Sequence, residues 1–348
     1  MDAHQRLVGD GSEHPSKLRR RVVVRRVTRR RAARDIACLA VALASTACTS
    51  DRSQPQDTTS TRPERVVELS SETVPVAGAP WGVAVEGDTV WVSDAARGVV
   101  LQIDAASREV LGEIPTDAPD PRDTGLALAD DQLWVANLGG SVGVIDLATG
   151  QPTARAATGE GEPAAVVLDD RWAWVPTHGP GGGLVRLDRA DPQLEPLLLI
   201  LPESGFAAAL SNGTVWVAGL EGRVFAIDAA TGSVARTIDA GAAPRGIAVA
   251  DGDVWVSLRD ERAVVRIDAA TGDEIARIDT GGQPWPIVAD RDTVWVATLE
   301  AGLLRIDTST NAVTARATVG PDARGVAVTE DAVWVTSQSG SVTRVAAR

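Results

Sequence analysis

The phrase apolar-Trp-Val occurs seven times in this chain: Val90-Trp91-Val92, Leu133-Trp134-Val135, Ala173-Trp174-Val175, Val215-Trp216-Val217, Val254-Trp255-Val256, Val294-Trp295-Val296 and Val333-Trp334-Val335. Successive tryptophans lie 43, 40, 42, 39, 40 and 39 residues apart. A unit of about 40 residues cannot bury its apolar face alone and must stack on its neighbours, so the repeat dictates the architecture. It does not dictate an activity. Only residues that depart from the repeat can report a site.

The fifth unit shows what each repeat contains. Four short β-rich stretches, at 245–250, 253–257, 263–268 and 274–279, are separated by turn residues, and none has a helical period. Asp251-Gly252 suits a tight hairpin that needs positive φ. In Asp268-Ala-Ala-Thr-Gly272 the carboxylate can accept the turn's own amides while glycine takes the left-handed position. Related turns begin at Asp104, Asp146, Asp188, Asp228 and Asp307. Four antiparallel strands per unit, repeated around an axis, predict an all-β fold: a seven-bladed β-propeller over residues 65–348. The tryptophans then pack between blades. The last unit supplies only three strands, whereas Val66 to Val76 precedes the first inner strand without a blade of its own. This N-terminal segment is expected to complete blade seven and cover its sheet edge.

Ten residues before each repeat tryptophan stand Trp81, Thr124, Ala164, Phe206, Arg245, Trp285 and Arg324, each followed by a small residue or proline. That position falls at the start of the innermost strand, on the mouth of the axis. Blades four, five, six, seven and one are neighbours around the ring. Phe206, Arg245, Trp285, Arg324 and Trp81 should therefore form a continuous arc. His178, on a Gly-rich loop, should project into the gap left by blades two and three, and second-strand ends offer Asp94, Asn137, Arg259, Glu300 and Gln338 nearby. Aromatic rings between arginines suit a flat or anionic ligand, a sugar or a peptide carboxylate. Candidate ligand-binding residues are thus Trp81, Phe206, Arg245, Trp285, Arg324, His178, Asn137 and Arg259. On the opposite face, acidic residues sit where turn chemistry alone would place them, without the series of oxygen ligands that calcium wants. No metal site and no cofactor is expected.

Residues 1–47 hold 11 of the 34 basic residues and 4 of the 47 acidic ones. A basic stretch leads into an apolar run from Ile36 to Ala47, too short to span a bilayer, and then into Ser45-Thr46-Ala47-Cys48. This resembles a bacterial lipoprotein signal, which implies lipidation of Cys48; Ser45 departs from the aliphatic residue usual there. Secretion after a small-residue site is the alternative. Residues 49–64 carry no aliphatic or aromatic side chain and read, with Cys48, as a lipidation site and tether spanning 48–64. Beyond the signal, 23 basic residues face 43 acidic ones. A net charge near −20 argues against nucleic acid and against membrane contact other than through the anchor. The expected protein is an extracytoplasmic monomer.

Pro244-Arg-Gly-Ile-Ala-Val, Val254-Trp-Val-Ser and Arg266-Ile-Asp-Ala-Ala-Thr-Gly272 resemble the YVTN and YncE-type seven-bladed propellers and the related virginiamycin B lyase-like repeats. The resemblance covers about residues 65–348 and implies fold more than function. A binding, sensor or scaffold module for a small molecule, glycan or protein at the channel mouth is the first expectation. The alternative is a metal-dependent lyase or lactonase of the virginiamycin B lyase-like or gluconolactonase-like type. The lyase resemblance implies a histidine pair, a glutamate and magnesium. Here His178 is the only histidine after the signal, and no Tyr, Lys or Cys follows Cys48 to serve as another acid, base or nucleophile.

Overall fold

The apolar-Trp-Val phrase works because strand side chains alternate between faces. In the computed structural model, which describes residues 66–118, 122–300 and 302–347, each tryptophan leaves its blade on one face while its two apolar flanks leave on the other. Every tryptophan consequently shares a core with the flanks of the next one. Trp91 clusters with Leu133 and Val135, Trp134 with Ala173 and Val175, and Trp174 with Val215 and Val217. Trp216 meets Val254 and Val256, Trp255 meets Val294 and Val296, and Trp295 meets Val333 and Val335. Trp334 then packs with Val90 and Val92 of the first blade, which closes the ring.

The protein is a seven-bladed β-propeller, without helices among the described residues. Blade five runs Pro244–Ala250, Asp253–Leu258, Ala263–Asp268 and Glu274–Asp279, antiparallel throughout. Its first hairpin turns on Asp251 and Gly252 at φ 52° and 82°, and Gly272 sits at φ 85°. Asp268 accepts the Ala270 and Thr271 amides at 2.8 and 2.6 Å. Asn212 and Gly213, at φ 49° and 73°, form the equivalent hairpin of blade four. The expected signal (1–47), Cys48 and the whole of the expected tether (to residue 64) lie outside the described residues.

Closure goes further than the sequence suggests. Ser71–Pro75 pairs antiparallel with Ser341–Ala346 and supplies the fourth strand of blade seven. Just before it, Val67–Glu68 pairs parallel with the outer strand of blade six, Ala312–Ala317. Leu69 packs on the core between blades six and seven, and Val76 on the core between seven and one. The Glu72 carboxylate reaches Arg108 of blade one at 2.7 Å. One segment thus ties three blades.

Blade three departs from the four-strand pattern. Its inner strand is broken into Glu162–Pro163 and Val167–Leu168, and its outer strand is only Leu197–Leu199. Proline cannot donate to a ladder; Pro176 stands opposite the gap, where its carbonyl still accepts the Ala164 amide at 3.2 Å.

Candidate functional site

Six inner strands slip register by one residue at their start. In blade five, Pro244 pairs with Leu258 but Gly246 pairs with Ser257, which leaves Arg245 as the extra residue. Equivalent shifts lie between Pro80 and Val83, Asp123 and Leu126, Gly205 and Ala207, Pro284 and Ile287, and Ala323 and Gly325. A bulge re-aims a side chain that ordinary pleating would place on a blade face. Here it turns most of these residues toward the axis.

The blades crowd where they bulge. A Cβ added at Gly246 would lie 2.6 Å from the Trp285 carbonyl oxygen, so this approach admits only glycine. Hydroxyls two residues after the inter-blade tryptophans lock the contact. Ser257 donates to the Trp285 carbonyl at 2.8 Å, and Thr336 donates to the Trp81 carbonyl while accepting the Gly325 amide at 2.9 Å. Ser93 makes the matching bond to the Thr124 carbonyl at 2.5 Å. These positioning hydroxyls were missed in the sequence, although they break the repeat: other units carry Ala136, Pro176, Ala218 and Ala297 there.

The expected arc is in place. The Arg245 guanidinium lies 5.3 Å from the Phe206 ring centroid and 5.5 Å from that of Trp285. Arg324 lies 4.2 Å from the Trp285 centroid and 5.3 Å from that of Trp81. Phe206 and Trp285 also meet edge to face at 5.7 Å. Together with Ala164 these five residues ring a cavity of about 180 Å³ whose deeper lining includes Val83, Leu126, Ile247, Ile287 and Val326. Thr124 is the exception. Its hydroxyl lies 3.1 and 3.2 Å from the Ala136 and Pro163 carbonyls and shares its one proton between them, so it is buried as a blade tie.

His178 reaches the arc, with its ring 5.7 Å from that of Phe206. It ends the strand Trp172–His178, however, and the Gly-rich loop follows it. Pairing with Glu162 across the strands brings its Nδ1 to 3.5 Å from that carboxylate. Burial is the main influence on the imidazole and holds its pKa below the ordinary value; Glu162 pulls it up, while Arg245 and Arg122 push it down. The unfolded chain therefore takes up this proton first as pH falls below about 6.5, and the folded state loses stability in that window. Acidification from pH 7.5 to 5.5 should lower the melting temperature of the wild type more than that of His178→Gln.

Two candidates stand apart from the cavity. Asn137 is buried, its side-chain oxygen accepting the Gly139 amide at 2.8 Å. Arg259 binds Asp260 at 2.7 Å and does not line the cavity, but its charge bears on both Arg245 and Arg324. Gln338 is a partner in the site: its side-chain oxygen accepts Arg324 Nε at 2.9 Å.

The electrostatics are lopsided. Burial is the main cause holding Arg245 and Arg324 below the usual arginine range, with Arg259 adding to it and Asp260 or Asp322 opposing it. Among the described residues neither cation has an ion-pair partner. Nearby carboxylates are spent on loops. Asp94 accepts the Ala79 and Ala96 amides at 3.0 and 2.9 Å, and Glu300 accepts that of Gln283 at 2.7 Å. Burial would raise the Asp94 pKa, but these amides and Arg97 hold it lowered. Arg245 donates to the Pro244 carbonyl at 2.8 Å. Arg324 Nη1 is buried and meets no acceptor.

Comparison with known proteins supports the fold and a part of the repeat. Residues 199–275 match the family model of the outer membrane protein assembly factor BamB, with PQQ_2 repeats. No curated protein matches by sequence. Virginiamycin B lyase from Staphylococcus aureus superposes with a TM-score of 0.70 at 14% identity, over 80% of this chain and 100% of the lyase. The β-propeller domain of Cps50 (Swd1) from Myceliophteria thermophila gives 0.68 at 13% identity, over 80% and 100%. The computationally designed Ika8 protein gives 0.60 at 15%, over 78% and 98%. These are likenesses of fold.

Proposed function

We propose that this chain is an extracytoplasmic binding module: a monomeric propeller exported by its N-terminal signal, held at the cell membrane through lipidated Cys48, and receiving a ligand or partner at the channel mouth. It serves as a sensor or scaffold for an envelope component. One observation carries the reading. Five large side chains break the repeat at a single register position, and ring closure stacks all five around one cavity, where crowding alone would favour small residues. The BamB-like stretch supports the envelope address. The sequence signal supports the anchor.

A metal-dependent lyase or lactonase, the reaction class of the resemblance, fits these residues poorly. Among the described residues no three His, Cys, Asp or Glu come together as ligands. Buried guanidiniums at the mouth would oppose a cation. Melts with chelator, Mg²⁺ or Ca²⁺ should coincide; a large metal-dependent shift would favour the enzyme.

The binding reading is tested by replacing Trp81, Arg245, Trp285 and Arg324 singly with Ala and measuring retention on immobilised glycans, peptides and peptidoglycan fragments. Loss of retention in at least two variants with unchanged circular dichroism is expected. Four folded variants indistinguishable from the wild type would sink it. Cys48→Ser should move the protein from the membrane fraction to the medium.

A further inference from the structure

We infer that the channel mouth is a receptor for a small organic carboxylate, held by Arg324 and Arg245 and walled by Trp81, Phe206 and Trp285. The inference rests on the binding reading and narrows it to one chemical class. Charge sets the class. In a chain of net charge −13, two half-buried guanidiniums face one cavity, a third stands close behind, and the carboxylates that favour them stop short of ion-pair contact. A partly buried cation without a counter-ion has lost part of its hydration, and a bound anion offsets that loss.

Hydrogen-bonding capacity points the same way. The Arg324 guanidinium lies over the Trp285 and Trp81 rings, which accept no in-plane hydrogen bond from its N–H groups. Gln338 takes one at Nε, while buried Nη1 has none. The planar fork of arginine matches a planar carboxylate in two parallel bonds.

The walls select an organic acid over inorganic phosphate. Below the collar the cavity is lined by Val83, Leu126, Ile247, Ile287 and Val326, with Gly82, Gly125 and Gly246 between them. A ligand with a flat apolar body gains from these surfaces; phosphate, strongly hydrated and without an apolar part, does not. About 180 Å³ is below the size of a drug-like pocket, which limits the guest to a small acid or the tip of a larger one.

Isothermal titration of the full chain at pH 7 and fixed low salt, with benzoate, its neutral isostere benzamide and inorganic phosphate, decides the matter. Benzoate should bind at least tenfold more tightly than benzamide and phosphate. Arg324→Gln and Arg245→Gln should each weaken benzoate at least tenfold with melting temperatures near the wild type. The isostere keeps the test valid if a variant unfolds. Equal binding of benzamide, tighter binding of phosphate, indifference of folded Arg variants, or no benzoate binding would each overturn the inference. The parent reading fails separately: retention of a neutral glycan or peptide that Trp285→Ala abolishes would leave the module standing even with carboxylates rejected.

Discussion

Trp255→Ala should lower stability by about 3–5 kcal/mol, the range for emptying a large aromatic site in a packed core. Trp285→Ala, in the same fold and of the same chemistry, should cost far less. Trp255 is fully buried between blades five and six, clustered with Ile287, Val294, Val296 and Leu304. Trp285 is only partly buried, at the channel mouth, with a cavity beside it. Guanidinium denaturation of both variants measures the difference directly. Trp255→Phe refines the test. The Trp255 indole N–H meets no acceptor, so this change removes packing and the Arg266 contact at 5.0 Å without breaking a hydrogen bond. It should fall well short of the alanine variant. If Trp285→Ala proved as damaging as Trp255→Ala, the division between mortar and site would collapse.

Removing residues 66–76 should destabilise the propeller by about 3–5 kcal/mol, from the partial burial of three aliphatic side chains and a ladder of net-favourable hydrogen bonds. For a domain of this size that corresponds to a fall of roughly 10 °C in melting temperature. The loss comes from three places at once: the five-residue pairing with blade seven, the parallel contact with blade six, and the Glu72–Arg108 bridge to blade one. The exposed edge of Ser341–Ala346 should also promote association of the truncated protein. A peptide of residues 66–76 added in trans should restore part of the lost stability. An unchanged melt would show that the ring closes through the Trp334 seam alone.

Much of the site was legible because it interrupts a pattern. In a sevenfold repeat, Trp81, Phe206, Arg245, Trp285 and Arg324 stand out at one register position, and ring order alone makes them neighbours. His178 was also drawn to the right sector, although the expected loop placement gave way to a strand end paired with Glu162. Asn137 was less legible. Its place at a second-strand end is visible in the sequence, but not that its side chain is committed to the Gly139 amide. The same limit hid the role of Asp94 and Glu300 as loop caps, whose carboxylates accept backbone amides.

The sequence by itself determined the blade, the blade count and the closing segment. Alternation along strands and turn chemistry at Asp-Gly and Asp-Ala-Ala-Thr-Gly are local, and local rules repeated seven times reinforce one another. Tertiary structure alone decided which large residues share a cavity as partners and which do not. The bulges that turn Arg245 and Trp285 to the axis, and the hydroxyls of Ser257 and Thr336 that pin their neighbours, depend on contacts between adjacent blades. Trp81 and Arg324, in the first and last blades, meet only after the ring has closed. A lone guanidinium in a sequence is merely a charge. Set over two indoles at the rim of one cavity, it is where we propose that an anion binds.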